Sequence, residues 1–153
     1  MPKRAVEFFV IDILLSIDRI KRYTKSVKTV DQFTKNEMLF DATLHELQIV
    51  GEAMSHVLKS KRLNRLIKPL WREIVNFRNV VHEYFGLSYD EVFKIIKKEI
   101  PLFEKEFLSF SKNLAEEKPI FVAIADTKTE LKALHRLESL KYLNKIEKFL
   151  KKP

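Results

Sequence analysis

Between residues 40 and 58 the side chains Phe40, Leu44, Leu47, Gly51, Met54 and Leu58 recur in alternating steps of four and three. This spacing keeps one stripe of a helix facing the same way over about five turns, as a long contact with another helix requires. A strand cannot use it, because a period of two would divide the same residues between both faces. The chain must therefore supply, or recruit, a second long helix. Two glycines among 153 residues leave little turn material for an all-β alternative. The length suits one domain with a real core.

The neighbouring segments agree. Phe8, Ile11, Leu15 and Ile20 predict a first helix from about Lys3 to Tyr23, followed by a polar connection over residues 24–30. Thr34 and Glu37 have capping-box spacing and predict the start of the long second helix, which runs to about Lys59. Pro69 suits the first turn of a third helix, with Leu70, Ile74, Phe77 and Val81 on one face. Trp71, Val75, Arg78 and His82 lie on the adjacent line, and Gly86 supplies a stop. Ser88 and Glu91 repeat the capping-box spacing and predict a fourth helix toward Lys112, kinked or divided at Pro101.

The C-terminal part has another rhythm. Ile120 to Ala125 is a short apolar run compatible with a strand or a buried helical turn. Thr127 and Glu130 then predict the cap of a last helix carrying Leu131, Leu134, Leu137, Leu140, Leu143, Ile146 and Phe149. That is a strict period of three, which slips about 60° per step around an α-helix. Such a run must be wrapped on several sides, be broken, or meet another chain. His135 within it reads as a surface or packing histidine. The expectation is an all-α up-and-down helical bundle over residues 1–112, with a helical extension over 113–153 packed on the domain or on a partner chain.

Charge narrows the function classes. The net charge of +8 lies at the two ends of the chain. Residues 1–30 carry seven basic and three acidic side chains, residues 126–153 eight and four, and the middle fourteen of each. Basic ends serve solubility or attract a polyanion such as RNA. Within the neutral middle, Lys59, Lys61, Arg62, Arg65 and Lys68 cluster with no acid between them, which makes them RNA-binding candidates. The absence of cysteine excludes disulfides and thiolate chemistry and suits a reducing compartment. No apolar run approaches the roughly 20 residues that span a bilayer. A cytoplasmic protein is expected.

The stretch richest in chemistry runs from Phe77 to Gly86. Arg78 and His82 stand four apart and so share a helix face. A guanidinium that grips phosphate beside an imidazole that moves protons is a minimal kit for cleaving RNA. Three blocks carry a family resemblance over about residues 5–110: Leu47-Gln48-Ile49-Val50-Gly51-Glu52-Ala53, then Trp71, then Arg78-Asn79 followed by His82-Glu83-Tyr84-Phe85-Gly86. With them the chain resembles the HEPN superfamily, specifically HepT-like toxins encoded beside a minimal nucleotidyltransferase.

The resemblance implies a metal-independent endoribonuclease with no cofactor, built as an all-α homodimer whose cleft is lined by both subunits. Arg78 would bind and polarise the scissile phosphate. His82 would serve as base toward the ribose 2′-hydroxyl or as acid toward the leaving oxygen, with Asn79 orienting. Tyr84 would be the tyrosine that the nucleotidyltransferase antitoxin adenylylates, placing bulk and negative charge where RNA must sit. Glu52 would orient His82 or Arg78.

One spacing departs from the family pattern, which has four residues between arginine and histidine where this chain has Asn79, Val80 and Val81. The usual spacing turns the pair about 140° apart on a helix, against about 40° here. The alternative is a catalytically weak or inactive HEPN protein that acts as a modification substrate, protein partner or RNA-binding module. Asp41, His45, Gln48, Glu52 and His56 share a polar flank of the second helix, readable as a solvated face or, less readily, as a carboxylate–histidine metal site. Trp71, Phe77 and Phe85 read as core or interface before base-stacking residues.

Overall fold

The structure is a computed structural model, and it describes residues 4–63, 71 and 88–153. Among these residues it is all-α, with no strand. The elements are α1 (Val6–Tyr23), α2 (Val30–Lys35), α3 (Glu37–Lys59), α4 (Tyr89–Lys94), a π-helical segment (Ile95–Glu99), α5 (Ile100–Leu114), α6 (Pro119–Ala133) and α7 (Leu137–Lys151).

The partner demanded by the 4–3 stripe is α1, which packs along α3 in the most extensive helix contact of the described chain. Phe40, Leu44, Leu47 and Met54 are buried, as is Gly51. Thr43 and Ser55, also buried, return their hydroxyls to the Leu39 and Glu52 carbonyls and so bring no unpaired donor inside. Buried Glu46 lies 3.7 Å from Arg19 of α1. The seam is thus covered within one chain. Trp71, read as core or interface, is a core residue. It is fully buried, edge-on to Phe103, Phe107 and Phe110, with its indole N–H donating to Glu106 at 3.4 Å.

α1 is enclosed on nearly all sides. Val10, Ile11, Ile13, Leu14, Leu15, Ile17 and Ile20 are buried because α3, α5, α6 and α7 surround it. Its C-terminus is tied to the π segment by Lys97, whose ammonium donates to the Thr24 carbonyl at 2.7 Å.

One cap in this half of the chain differs from expectation. Asn36, not Thr34, accepts from the Leu39 N–H and opens α3. Thr34 belongs instead to α2, a short helix the pattern does not predict, capped by Thr29 and sealed by Phe33 against Phe40 and Phe93. Ser88 does cap α4, accepting from the Glu91 N–H. The expected break at Pro101 takes the form of the π segment directly before it. Proline has no N–H to return to the carbonyl four residues earlier, so the widened turn falls there. Val92, Ile96, Ile100, Phe103, Phe107, Phe110 and Leu114 still form one buried stripe through it.

The C-terminal run is the largest correction. Thr127 caps nothing; it lies inside α6 and bonds back to the Ala123 carbonyl. The apolar stretch 120–125 is helical. The chain breaks at 134–136, where His135 takes φ 54°. His135 N–H bonds to Lys132 O and Arg136 N–H to Leu131 O, a Schellman closure usually made with glycine. Leu134 and Leu137 are left exposed at this corner, while Ser139, Leu143, Ile146 and Leu150 bury a 4–3–4 stripe. Both α6 and α7 pack on α1, and α7 also meets α5. Lys128 of α6 bonds Glu147 of α7 at 2.9 Å.

The predicted third helix and its stop at Gly86 lie outside the described residues, apart from Trp71.

Candidate functional site

Burial of α3 on most sides leaves one flank open. Asp41, His45, Glu52 and His56 are exposed on it and Gln48 is half-buried, so the polar flank read from spacing is real. Against α1 this flank forms a groove of about 300 Å³ lined by Phe9, Asp12, His45, Gln48, Ile49, Glu52, Ala53 and His56. Asp41 is not among its walls.

The His56 imidazole lies flat on the Phe9 ring, with centroids 4.1 Å apart and planes within 6°. Arg4 pairs with Asp12 and sits over the Phe8 and Phe9 rings, 5.2 Å from each centroid. The groove therefore has a rigid aromatic floor at one end and carboxylate, imidazole and amide groups along one wall. Such groups can exchange protons and hydrogen-bond a polar ligand. Among the described residues, no three or more histidines, aspartates or glutamates are placed to hold a metal ion. The contribution of α1 was not foreseen. Phe9 and Asp12 are three apart and hence on one face, but that face gains meaning only once α1 is known to lie against α3.

Of the candidate site residues, Glu52 stands in this groove. Arg78, Asn79, His82 and Tyr84 lie outside the described residues. So do Arg65 and Lys68 of the basic cluster. Lys59 and Lys61 are exposed where α3 ends.

Arg62 is differently employed. It pairs with buried Glu7 of α1 and, at 2.7 Å, with Glu117 beyond α5. The hydrogen bond donated to Glu7 raises the guanidinium's already high pKa, burial opposes the rise, and the charges of Glu7 and Glu117 add to it. Two carboxylates distant in sequence thus balance a charge that looked uncompensated. Arg62 braces the end of α3 against α1 and the turn into α6.

A second polar cluster joins α1 to the C-terminal corner. Arg19 and Arg22 approach the Ser139 hydroxyl at 3.2 and 3.4 Å, and Arg22 also bonds Asp18 at 2.8 Å. Nearby, burial first and then the charges of Glu104 and Asp18 push the Tyr142 hydroxyl well above its usual range. It is a neutral packing group at any physiological pH.

The family described as Ribonuclease HepT-like matches residues 13–109. A Methanocaldococcus jannaschii protein provisionally named RNase MJ1380 is 35% identical over 107 residues, covering 69% of this chain and 96% of the relative. A second protein of that organism, provisionally named RNase MJ0125, is 34% identical over 118 residues, covering 76% of this chain and all of the relative. In Thermococcus cleftensis a "Probable ribonuclease HepT" is 30% identical over 107 residues, covering 69% of this chain and 94% of its own length. No solved structure matches. The matched span holds α3, Trp71 and the whole Arg78–Gly86 block, and it ends before α6 and α7 begin. The chain belongs to the ribonuclease HepT-like family.

Proposed function

We propose that the protein is a metal-independent endoribonuclease of the HepT type. The observation that carries the reading is that the family match runs through Arg78, Asn79, His82 and Tyr84 rather than through the frame alone. Arg78 binds the scissile phosphodiester and offsets charge on its oxygens in the transition state. His82 takes the proton of the ribose 2′-hydroxyl or gives one to the leaving 5′-oxygen. Asn79 orients these groups. Glu52, on the open flank of α3, is the acid proposed to steer His82 or Arg78. Lys59, Lys61, Arg65 and Lys68 draw RNA toward the site, with Arg62 chiefly structural. The active form is a homodimer, and a nucleotidyltransferase antitoxin silences it by adenylylating Tyr84.

Purified protein should cleave RNA without added metal, and Arg78→Ala and His82→Ala should each lose at least about a hundredfold in rate, as expected for removing a positioned acid–base or charge-stabilising group. An inactive parent, or variants as active as the parent, overturns the reading. With a cognate nucleotidyltransferase and ATP, the mass of one AMP should appear on the parent and not on Tyr84→Phe.

The gap of three residues between Arg78 and His82 favours a second reading, a non-cleaving family member that binds RNA or is modified. Inserting one valine between Val81 and His82 separates the two. A gain of cleavage from an inactive parent supports the second reading, whereas loss from an active parent supports the first.

A further inference from the structure

The basic C-terminus resolves into a defined surface. Lys141, Lys145, Lys148 and Lys152 follow α7 and its cap in steps of four, three and four, and all four are exposed. At about 100° per residue they fall within an arc of about 60°. Ser139, Leu143, Ile146 and Leu150 occupy the opposite face and are buried. The core therefore fixes the rotation of α7, and the lysines cannot turn inward. Over eleven residues the stripe is about 16 Å long.

The acids of α7 do not interrupt it. Glu147 faces the flank and bonds Lys128 and Lys151, and Glu138 sits a turn ahead of Lys141 at the start of the helix. Cations are favoured near a helix C-terminus, which accounts for Lys148 and Lys152. It does not account for Lys141 and Lys145 in the first half, where like charges four apart repel. A polyanion laid along the stripe removes that repulsion.

We infer that the lysine face of α7 is a track for the phosphodiester backbone of RNA, appended beyond the family's matched segment. The inference rests on the reading of the protein as an RNA-acting enzyme. Lysines are compact, mobile point charges, suited to phosphates without regard to base sequence. A membrane surface fits poorly. A basic helix that enters a bilayer needs its apolar face free, and here that face is packed on α1 and α5.

The test measures binding of a labelled single-stranded RNA to full-length His82→Ala protein, which keeps the RNA intact, over a series of salt concentrations. One variant carries Lys141→Gln, Lys145→Gln, Lys148→Gln and Lys152→Gln. A charge-matched control carries Lys25→Gln, Lys94→Gln, Lys98→Gln and Lys105→Gln, four exposed lysines elsewhere. Binding should weaken at least tenfold at low salt in the first variant. Its log–log salt slope should fall by about 3, at about 0.7 per lost phosphate contact on a single strand. The control should keep most of the parent slope.

Equal losses in the two variants, an unchanged slope in the first, or no RNA binding by the parent overturns the inference. Binding of the parent to vesicles of phosphatidylserine and not to RNA overturns it in favour of a membrane. Cleavage is assayed separately on protein with His82 intact. Stripe-dependent binding without cleavage leaves the track standing and fells the nuclease reading. Cleavage with a stripe-independent slope does the reverse.

Discussion

Two apolar runs of similar length fold differently. From Phe40 to Leu58 the spacing alternates four and three, and α3 is one unbroken helix against α1. From Leu131 to Phe149 the spacing is a constant three, and the chain breaks at His135 into α6 and α7. A 4–3 repeat stays within a narrow arc of the helix, so one neighbour covers it. A period of three rotates around the helix until no neighbour can follow. Breaking at 134–136 leaves two leucines at the corner and restores a 4–3–4 stripe in α7.

The sharpest test of this contrast compares a core residue from each run. Met54 and Leu143 are both fully buried. Met54→Ala and Leu143→Ala should each cost about 2–5 kcal/mol by chemical denaturation, in a single transition. A Leu143 variant that melts α6 and α7 alone, leaving the rest folded, would break the view that both runs share one core.

Next in size is the brace between the regions. Arg62→Ala strands the Glu7 carboxylate in the core and should cost about 1–3 kcal/mol, discounted for the half-exposed arginine. Arg62→Ala combined with Glu7→Leu should recover part of that loss, which a double-mutant cycle measures.

His135→Gly comes third and has the opposite sign. The residue holds φ 54°, so glycine there should stabilise by about 1 kcal/mol or less, seen as a higher Tm. A destabilising outcome would mean that the corner is held by the histidine side chain rather than by its backbone. In α3 the same change at buried Val50 should only destabilise.

The smallest effect concerns pH. The hydrogen bond from Lys128 holds the Glu147 carboxyl below its ordinary value of 4.5; burial opposes this, and the charges of Lys128 and Lys151 reinforce it. Its folded pKa is depressed, so its contribution is complete above 4.5 and is lost as acid protonates it. Between roughly pH 5 and pH 3, Glu147→Gln should flatten the fall in stability relative to the parent. Equal acid sensitivity would remove this bridge from the α6–α7 contact.

Local pattern carried far in some places and stopped in others. The α3 stripe, its polar flank and the Ser88 cap were readable because each depends on residues within one or two turns. The α2 helix was not, since six residues with Phe33 inside make no periodic signal and depend on Phe40 and Phe93 for cover. Thr34 and Thr127 had the spacing of caps, yet a threonine bonds equally well to a carbonyl within a helix. The same limit applies at the candidate site. Glu52 was placed on its flank from spacing, but the groove also needs Phe9 and Asp12 of α1. Arg62 read as free cationic surface until Glu7 and Glu117 were brought to it from 55 residues away on either side.

By itself the sequence determined the all-α class, the long α3 and the family, and it named the residues proposed to perform its chemistry. These follow from helical periodicity and from a motif whose residue types already specify what they can bind. The tertiary structure alone decided which helix covers the stripe, where the period-three run breaks, and which charges are spent inside the molecule. Those outcomes depend on groups far apart along the chain. Only packing sets which of several locally equivalent partners reaches a given side chain, and burial then fixes the choice.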